Sequence, residues 1–469
     1  MVTWPSITRD DLLQAREFDR TFPLLIRRLI LETGKGVTRL HMPGGSGTSV
    51  GGFDGVVAAS GETPFVPAGT SVWELSVTGK AGKKADEDYD KRTAGPEGTP
   101  TNEVTYVQVI LATWRDAEKW ATQRKREGRW KDVRAYNADD VHTWLEAAPA
   151  TTIWLAERLG KAMPGVHHLE SWWSGTWLPS TQVPLTADIV LAGREKAAAS
   201  FLQRLREGPG TTSLGEDLRF EEAKAFVAAC LEQARDLDEQ RLSTRTFFVT
   251  DRESLVRLAV QPQPMVLLLE DRTMASAIPE QTPHHIVLLA PPGRPGDVPV
   301  PPVDGQAVRE RLEASLPYEK AVPLGVLARR SLLALRRALA VRPDLWTPPW
   351  ASEPDVFRRR LLLLGAWDGT NEHDRRVVEQ CVGRPYSEVQ EAALKLAAVP
   401  DTPFVGHLDE QWHLVSPKDA WTLLAHQLMH DDLRAFQEAV LEVLGERDPM
   451  AGLKETEQWK ANLQGARRK

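Results

Sequence analysis

Asp54, Glu74 and Lys84 are residue types that together can hydrolyse a phosphodiester. Two carboxylates on adjacent strands, with α-carbons roughly 5 Å apart, can share one divalent cation. Such an ion neutralises charge on the scissile phosphate and lowers the pKa of the attacking water, while a lysine stabilises what the ion does not reach. The chemistry requires Asp54, in Gly52-Phe53-Asp54-Gly55, and Glu74, in Val72-Trp73-Glu74-Leu75, to sit on neighbouring strands and share a face. Period-2 alternation places Trp73, Leu75 and Val77 on one face and Val72, Glu74 and Ser76 on the other. Glu74 therefore points away from the more apolar face, towards solvent or a metal. The plain alternative is that Asp54 is a turn residue and that Lys84 with Asp88 is an ordinary i,i+4 surface pair worth about 0.3–0.5 kcal/mol.

The elements that must position these groups are legible from pattern. "RDDLLQAREFDRTFPLLIRRLILET" predicts a helix interrupted near Pro23, and "GVTRLHM", "GGFDGVVAA" and "TSVWELSV" predict three strands joined by glycine- and proline-rich turns. A charged helix from about Lys83 to Arg92, a buried strand in "VTYVQVILA", a helix in "WRDAEKWATQRKREG", a strand in "WKDVRAYN" and a helix in "ADDVHTWLEAAP" follow. The result is a mixed sheet with helices on its faces.

This order resembles the core of the PD-(D/E)XK, or restriction endonuclease-like, nuclease superfamily: a helix, three strands, a helix and a further strand. Asp54 matches the acid of the family's second strand. Glu74-Leu75-Ser76 matches the Glu-x-Lys of the third, with Ser76 where lysine is expected. Some members carry the lysine on the neighbouring helix, where Lys83 and Lys84 stand here, with Lys80 in the loop before; Lys84 is the favoured choice because Lys84, Asp88 and Lys91 recur at helical spacing. Glu17 could add the first-helix carboxylate that some members have. "FDGVV", "VPAGTSVWELSV", "KADEDYDKRT" and "WKDVRAYNADDVHTWLE" together look like the nuclease domain at the front of bacterial antiviral STAND ATPases. The resemblance implies an endonuclease of antiphage or antiplasmid defence, with Asp54 and Glu74 holding Mg²⁺ or Mn²⁺, and DNA as substrate. Lys80, Lys83, Lys91, Arg92, Arg124 and Arg126 are the residues expected to meet it. The basic run also includes Lys125, Arg129, Lys131 and Arg134; such runs are more often solvated helix. The alternative is a non-catalytic scaffold that keeps the nuclease shape.

The expected architecture is a multidomain α/β protein: a nuclease-like domain over 1–160, a linker over 161–180, a parallel α/β domain over 181–315, and a helical region with a winged-helix-like unit over 316–469. In the second domain "ADIVLA", "RTFFVT", "PMVLLLED" and "HHIVLLAPP" read as strands alternating with helices. "PMVLLLED" resembles a Walker B strand, but no Gly-x-x-x-x-Gly-Lys phosphate loop is present, so the domain reads as a degenerate P-loop-like module and ATP turnover is not expected. The C-terminal "FVGHLDEQWHLVSP" predicts a hairpin, and the tail reads as a continuing helix, as if the chain were the front of something longer.

The 469-residue length fits two to four domains, and a formal charge of −7 argues against a surface coated in positive charge. Sixteen tryptophans are expected as core and interface anchors. Cys230 and Cys381 read as small buried hydrophobes, His426 and His430 as ordinary histidines, and His284 with His285 as strand neighbours facing opposite ways. With no signal-peptide pattern and no run of about 20 apolar residues, a cytoplasmic protein with no membrane partner is expected. Self-association and additional defence proteins are the further partners considered.

Overall fold

The computed structural model describes residues 4–14, 18–43, 52–215, 218–232, 236–291, 294–342, 345, 347–352, 355–399, 404–408, 410–415 and 417–445. The chain is α/β, with mixed sheets and many helices, and divides into two compact units. The first comprises 1–179, 186–218 and 223–301; the second comprises 180–185, 219–222 and 302–469.

The first unit opens with helices α1 (Arg9–Gln14) and α2 (Phe18–Thr33). Pro23 lies inside α2 instead of interrupting it. An interior proline costs about 3 kcal/mol, but Phe22, Leu25, Ile26, Leu29 and Ile30 repeat at helical spacing and are all essentially fully buried. Burial of that stripe, at roughly 1.5–3 kcal/mol per large side chain, outweighs the loss.

Strands β1 (Val37–His41), β2 (Gly55–Ala59), β3 (Gly69–Ser76), β4 (Thr105–Ile110) and β5 (Asp132–Tyr136) form a sheet in that spatial order. β1–β2 and β2–β3 are antiparallel, whereas β3–β4 and β4–β5 are parallel. Helix α3 (Ala81–Ala94) supplies the β3–β4 crossover and α4 (Ala117–Arg126) the β4–β5 crossover, as parallel neighbours require. Helix α5 (Ala138–Glu146) begins with an Asn137–Asp140 capping box, and α6 (Pro149–Arg158) follows. Trp73, Val107 and Trp144 join the core that includes α2, while Val72, Tyr89, Tyr106 and Trp130 form a second cluster. The central strands are thus covered on both sides.

The same unit holds a six-stranded sheet: β6 (Val166–His168), β7 (Gly210–Gly215), β8 (Thr246–Val249), β9 (Val266–Leu269), β10 (His285–Leu289) and β11 (Val298–Pro299), in spatial order β11-β7-β10-β9-β8-β6. All pairings are parallel except β6–β8. Two sequence expectations are corrected here. Residues 166–177 are not linker: they form β6, helix α7 (Leu169–Trp172) and a π-turn over Trp173–Trp177 that buries Trp172, Trp173 and Trp177. "ADIVLA" is not a strand but contains the short helix α8 (Ala187–Val190), with Ala187, Ile189 and Val190 buried. A short apolar run has no period that separates strand from helix, so packing decided. Helices α9 (Glu195–Arg206), α10 (Phe220–Glu232), α11 (Leu237–Thr244) and α12 (Arg252–Ala259) complete the alternation.

The second unit is mainly helical. Val405–Leu408 and Gln411–Leu414 form the expected hairpin, extended by Ala366–Asp368 into a three-stranded antiparallel sheet. Trp367 and Trp412 stack across it with centroids 5.6 Å apart. The tail beyond 445 lies outside the described residues. No helix among the described residues is long and apolar enough to cross a membrane.

Candidate functional site

The antiparallel register pairs Gly55 with Trp73, which brings Asp54, one residue before β2, to the level of Glu74 on β3. Contact confirms the approach: the Leu75 backbone N–H donates to Asp54 Oδ2 at 2.8 Å. On the other side, the parallel register sets Glu74 beside Gln108 of β4. Gln108 is fully buried; its amide reaches the Glu74 carbonyl at 3.4 Å and its oxygen accepts from the Tyr106 hydroxyl at 2.8 Å. Glu74 shares its face with Val72, and α3 roofs that face with Ala85, Asp88, Tyr89 and Arg92. The carboxylate therefore does not point at solvent; it is 4% exposed.

Helical spacing in α3 then sets a charged ladder over the acids. Lys84 Nζ donates to Asp88 Oδ1 at 2.7 Å, with the lysine 40% and the aspartate 10% exposed. One turn further, Arg92 Nε donates to Glu74 Oε1, while its other nitrogens reach the Gly52 carbonyl and, at 3.2 Å, Glu97 Oε1. The guanidinium also lies 5.1 Å from the centre of the Phe53 ring.

Burial is the main cause raising Asp54, opposed by the Leu75 N–H and the Arg92 charge. Burial and then the Asp54 charge push Glu74 up to about 7, in spite of Arg92. The same ion pair pushes Arg92 up against its burial, so the guanidinium stays charged and any proton taken up goes to the two acids as a pair. Lys84 is raised chiefly by its hydrogen bond to Asp88, with Glu74 and Asp54 adding to the effect, so it remains an ammonium. Two carboxylates crowded in a desolvated site, beside a lysine held protonated, form the kind of strained electrostatics that marks reactive centres.

Carboxylates are the donors a hard divalent cation takes. Magnesium is content with one or two carboxylates, completing its octahedron with water and phosphate oxygens. Among the described residues no group of three or more His, Cys, Asp or Glu is arranged to hold an ion.

Of the other sequence-predicted residues, Ser76 ends β3 and its hydroxyl accepts from the Thr78 N–H at 3.3 Å. Glu17 lies outside the described residues. Lys80, Lys91 and Arg126 are exposed, and Lys83 is exposed with an ion pair to Glu87 at 3.6 Å. Arg124 is engaged within the fold: it pairs with Asp86 at 2.6 Å and Glu127 at 3.0 Å and lies over Tyr89. Arg92, expected at the DNA surface, is instead buried on Glu74. Sequence reasoning paired Lys84 with Asp88 but missed that role of Arg92 and the place of Gln108. The i,i+4,i+8 recurrence of Lys84, Asp88 and Arg92 was the available signal for the first, and the parallel register carried the second.

The sequence matches no protein-family model and no curated protein to which it was compared.

Proposed function

We propose that the chain is a metal-dependent DNA endonuclease whose site is Asp54, Glu74 and Lys84. The observation that carries this reading is geometric: the register brings Asp54 to the level of Glu74, and α3 holds the Lys84 ammonium on Asp88 over the same face; burial and mutual repulsion of the two acids support it. The order α2, three antiparallel strands, α3 and parallel β4 supports a restriction endonuclease-like core. Asp54 and Glu74 would hold Mg²⁺ or Mn²⁺, which supplies charge neutralisation and an acidified water. Asp88 fixes the Lys84 ammonium, which stabilises negative charge developing on the phosphate oxygens. Gln108, itself held by the Tyr106 hydroxyl, anchors the β3 backbone at the Glu74 carbonyl. Exposed Lys80, Lys83, Lys91 and Arg126 supply phosphate contacts outside the site. The role in antiviral defence rests on the sequence resemblance, as do the restriction of the six-stranded region to a degenerate P-loop-like module and of the C-terminal unit to a winged-helix-like regulator.

The test is cleavage of plasmid DNA with Mg²⁺ or Mn²⁺ by the full chain, Asp54→Asn and Glu74→Gln. Loss in both variants with unchanged circular dichroism supports the site; undiminished cleavage by either removes it.

One observation favours a second reading, a non-catalytic scaffold: Arg92 already neutralises Glu74 inside the fold, as a purely structural ion pair would. Calorimetric titration with Mn²⁺ separates the two, since a scaffold has no Asp54-dependent ion binding.

A further inference from the structure

A cleft of about 300 Å³ opens beside α2, α10 and α11, away from Asp54 and Glu74. Its volume is at the lower end of the range of ligand pockets. Leu24, Leu31 and Leu231 give it an apolar wall, and Arg27, Arg28, Gln240 and Ser243 give it donors.

Arg28 is the unusual member. It is 3% exposed; its guanidinium lies 4.4 Å from the centre of the Trp154 ring, yet its five N–H groups find few hydrogen-bond acceptors. Nη2 pairs with Glu170. Nη1 lies 3.2 Å from His168 Nε2, but the imidazole offers no acceptor there. Nδ1 accepts from the Glu170 N–H at 3.1 Å, so the ring proton is on Nε2, which donates to the Thr244 carbonyl at 3.0 Å. Burial and the Arg28 charge keep His168 neutral, so a guanidinium N–H faces an imidazole N–H. Nε is buried and has no hydrogen-bond acceptor among the described residues. Like charges add to the imbalance: burial first, then Arg158 and Arg27, bring Arg28 down to about 9. Arg27 is half-buried and donates a hydrogen bond to Gln240 Oε1 at 2.8 Å. Glu170 and Glu232 also line the cleft; the first already serves Arg28 and the second is exposed at the mouth.

Buried polar groups in folded proteins are nearly always satisfied, and an under-satisfied guanidinium is costly to keep. A phosphate monoester has the complementary chemistry: its dianion matches two guanidiniums, its oxygens accept from fork-shaped donors, and an organic portion can lie on the leucines. We propose that this cleft binds a small organic phosphate of about nucleoside monophosphate size, its phosphate seated between Arg27 and Arg28. The site stands independently of the nuclease reading.

Calorimetry on the full chain with the four ribonucleoside monophosphates, ribose 5-phosphate, inorganic phosphate and adenosine tests it. The expected result is saturable binding of at least one phosphate ester, with adenosine and inorganic phosphate each at least about tenfold weaker. Arg27→Ala, chosen because Arg28 is too deeply packed to remove safely, should weaken that ester at least about tenfold while leaving the unfolding transition in place. Ser243→Ala should weaken it less. Overturning results are no binding by any ester at millimolar concentration, equal binding of adenosine, inorganic phosphate binding as tightly as the esters, or an Arg27→Ala affinity unchanged from the parent.

Discussion

The two sheets of the first unit use carboxylates in opposite ways. Around β2 and β3, burial and mutual repulsion push Asp54 and Glu74 up. At the ends of the six-stranded sheet the acids serve the backbone instead. Asp251 accepts from the Ser254 N–H at 2.7 Å and caps α12, and Asp271 accepts from the Thr273 N–H at 2.7 Å. Asp297 takes the Ser213 hydroxyl and N–H, at 2.6 and 2.8 Å, and these bonds hold it below the usual carboxylate range. His285 is likewise occupied, donating from Nδ1 to the Gly208 carbonyl at 2.7 Å and accepting the Thr212 hydroxyl on Nε2 at 2.9 Å. A parallel α/β sheet brings polar residues to its strand ends in any case; those of the six-stranded sheet are spent on caps, whereas Asp54 and Glu74 are crowded in a buried place that raises their hold on a proton.

The contrast can be broken most directly at the two acids proposed to hold the cation. Asp54→Asn should lower DNA cleavage by about a thousandfold, a loss of several kcal/mol of transition-state stabilisation, whereas Asp297→Asn should leave single-turnover rates within about twofold of the parent. Similar losses in both variants would erase the distinction. Next comes stability: Arg92→Gln strands the buried Glu74 carboxylate and should cost about 3 kcal/mol in urea unfolding at pH 8. Pairing it with Glu74→Gln should recover most of that loss, because both charges are then gone.

The pH dependence sharpens the comparison further. Between the ordinary glutamate value of 4.5 and about 7, the native chain holds a proton on the Asp54–Glu74 pair that the unfolded chain has released. The native state binds more protons there, so this pair's contribution to stability declines as pH rises through that window, and Glu74→Gln should flatten the decline. Mn²⁺ affinity should move the other way, increasing as pH rises through 7, since the ion needs both acids ionised; calorimetry at pH 6 and pH 8 reads it. The smallest effect belongs to the caps: Asp251→Ala should cost about 1 kcal/mol by thermal unfolding and leave Mn²⁺ binding untouched.

Much of this was legible from one sequence. The strand carrying Glu74, the strand that Asp54 immediately precedes, the helix carrying Lys84 and the order of the five-stranded region follow from alternation, helical period and turn residues; Asp54 itself was expected within the strand and lies one residue before it. Pro23 misled because a local propensity of a few kcal/mol was set against a buried stripe whose extent is a tertiary quantity. The tryptophan-rich stretch misled because turn-forming residues concealed β6, a three-residue edge strand whose partner, β8, lies far along the chain.

What the sequence determined by itself was which residues share a face and which recur on one side of a helix, because those periods are set by backbone geometry alone. Only the tertiary structure decided what the charges meet: Arg92 on Glu74 instead of phosphate, Arg124 on Asp86, Arg28 facing the wrong side of His168. Charge is written in the sequence, but its energy depends on burial and on neighbours brought together by long-range pairing, and those are fixed only when the sheets close.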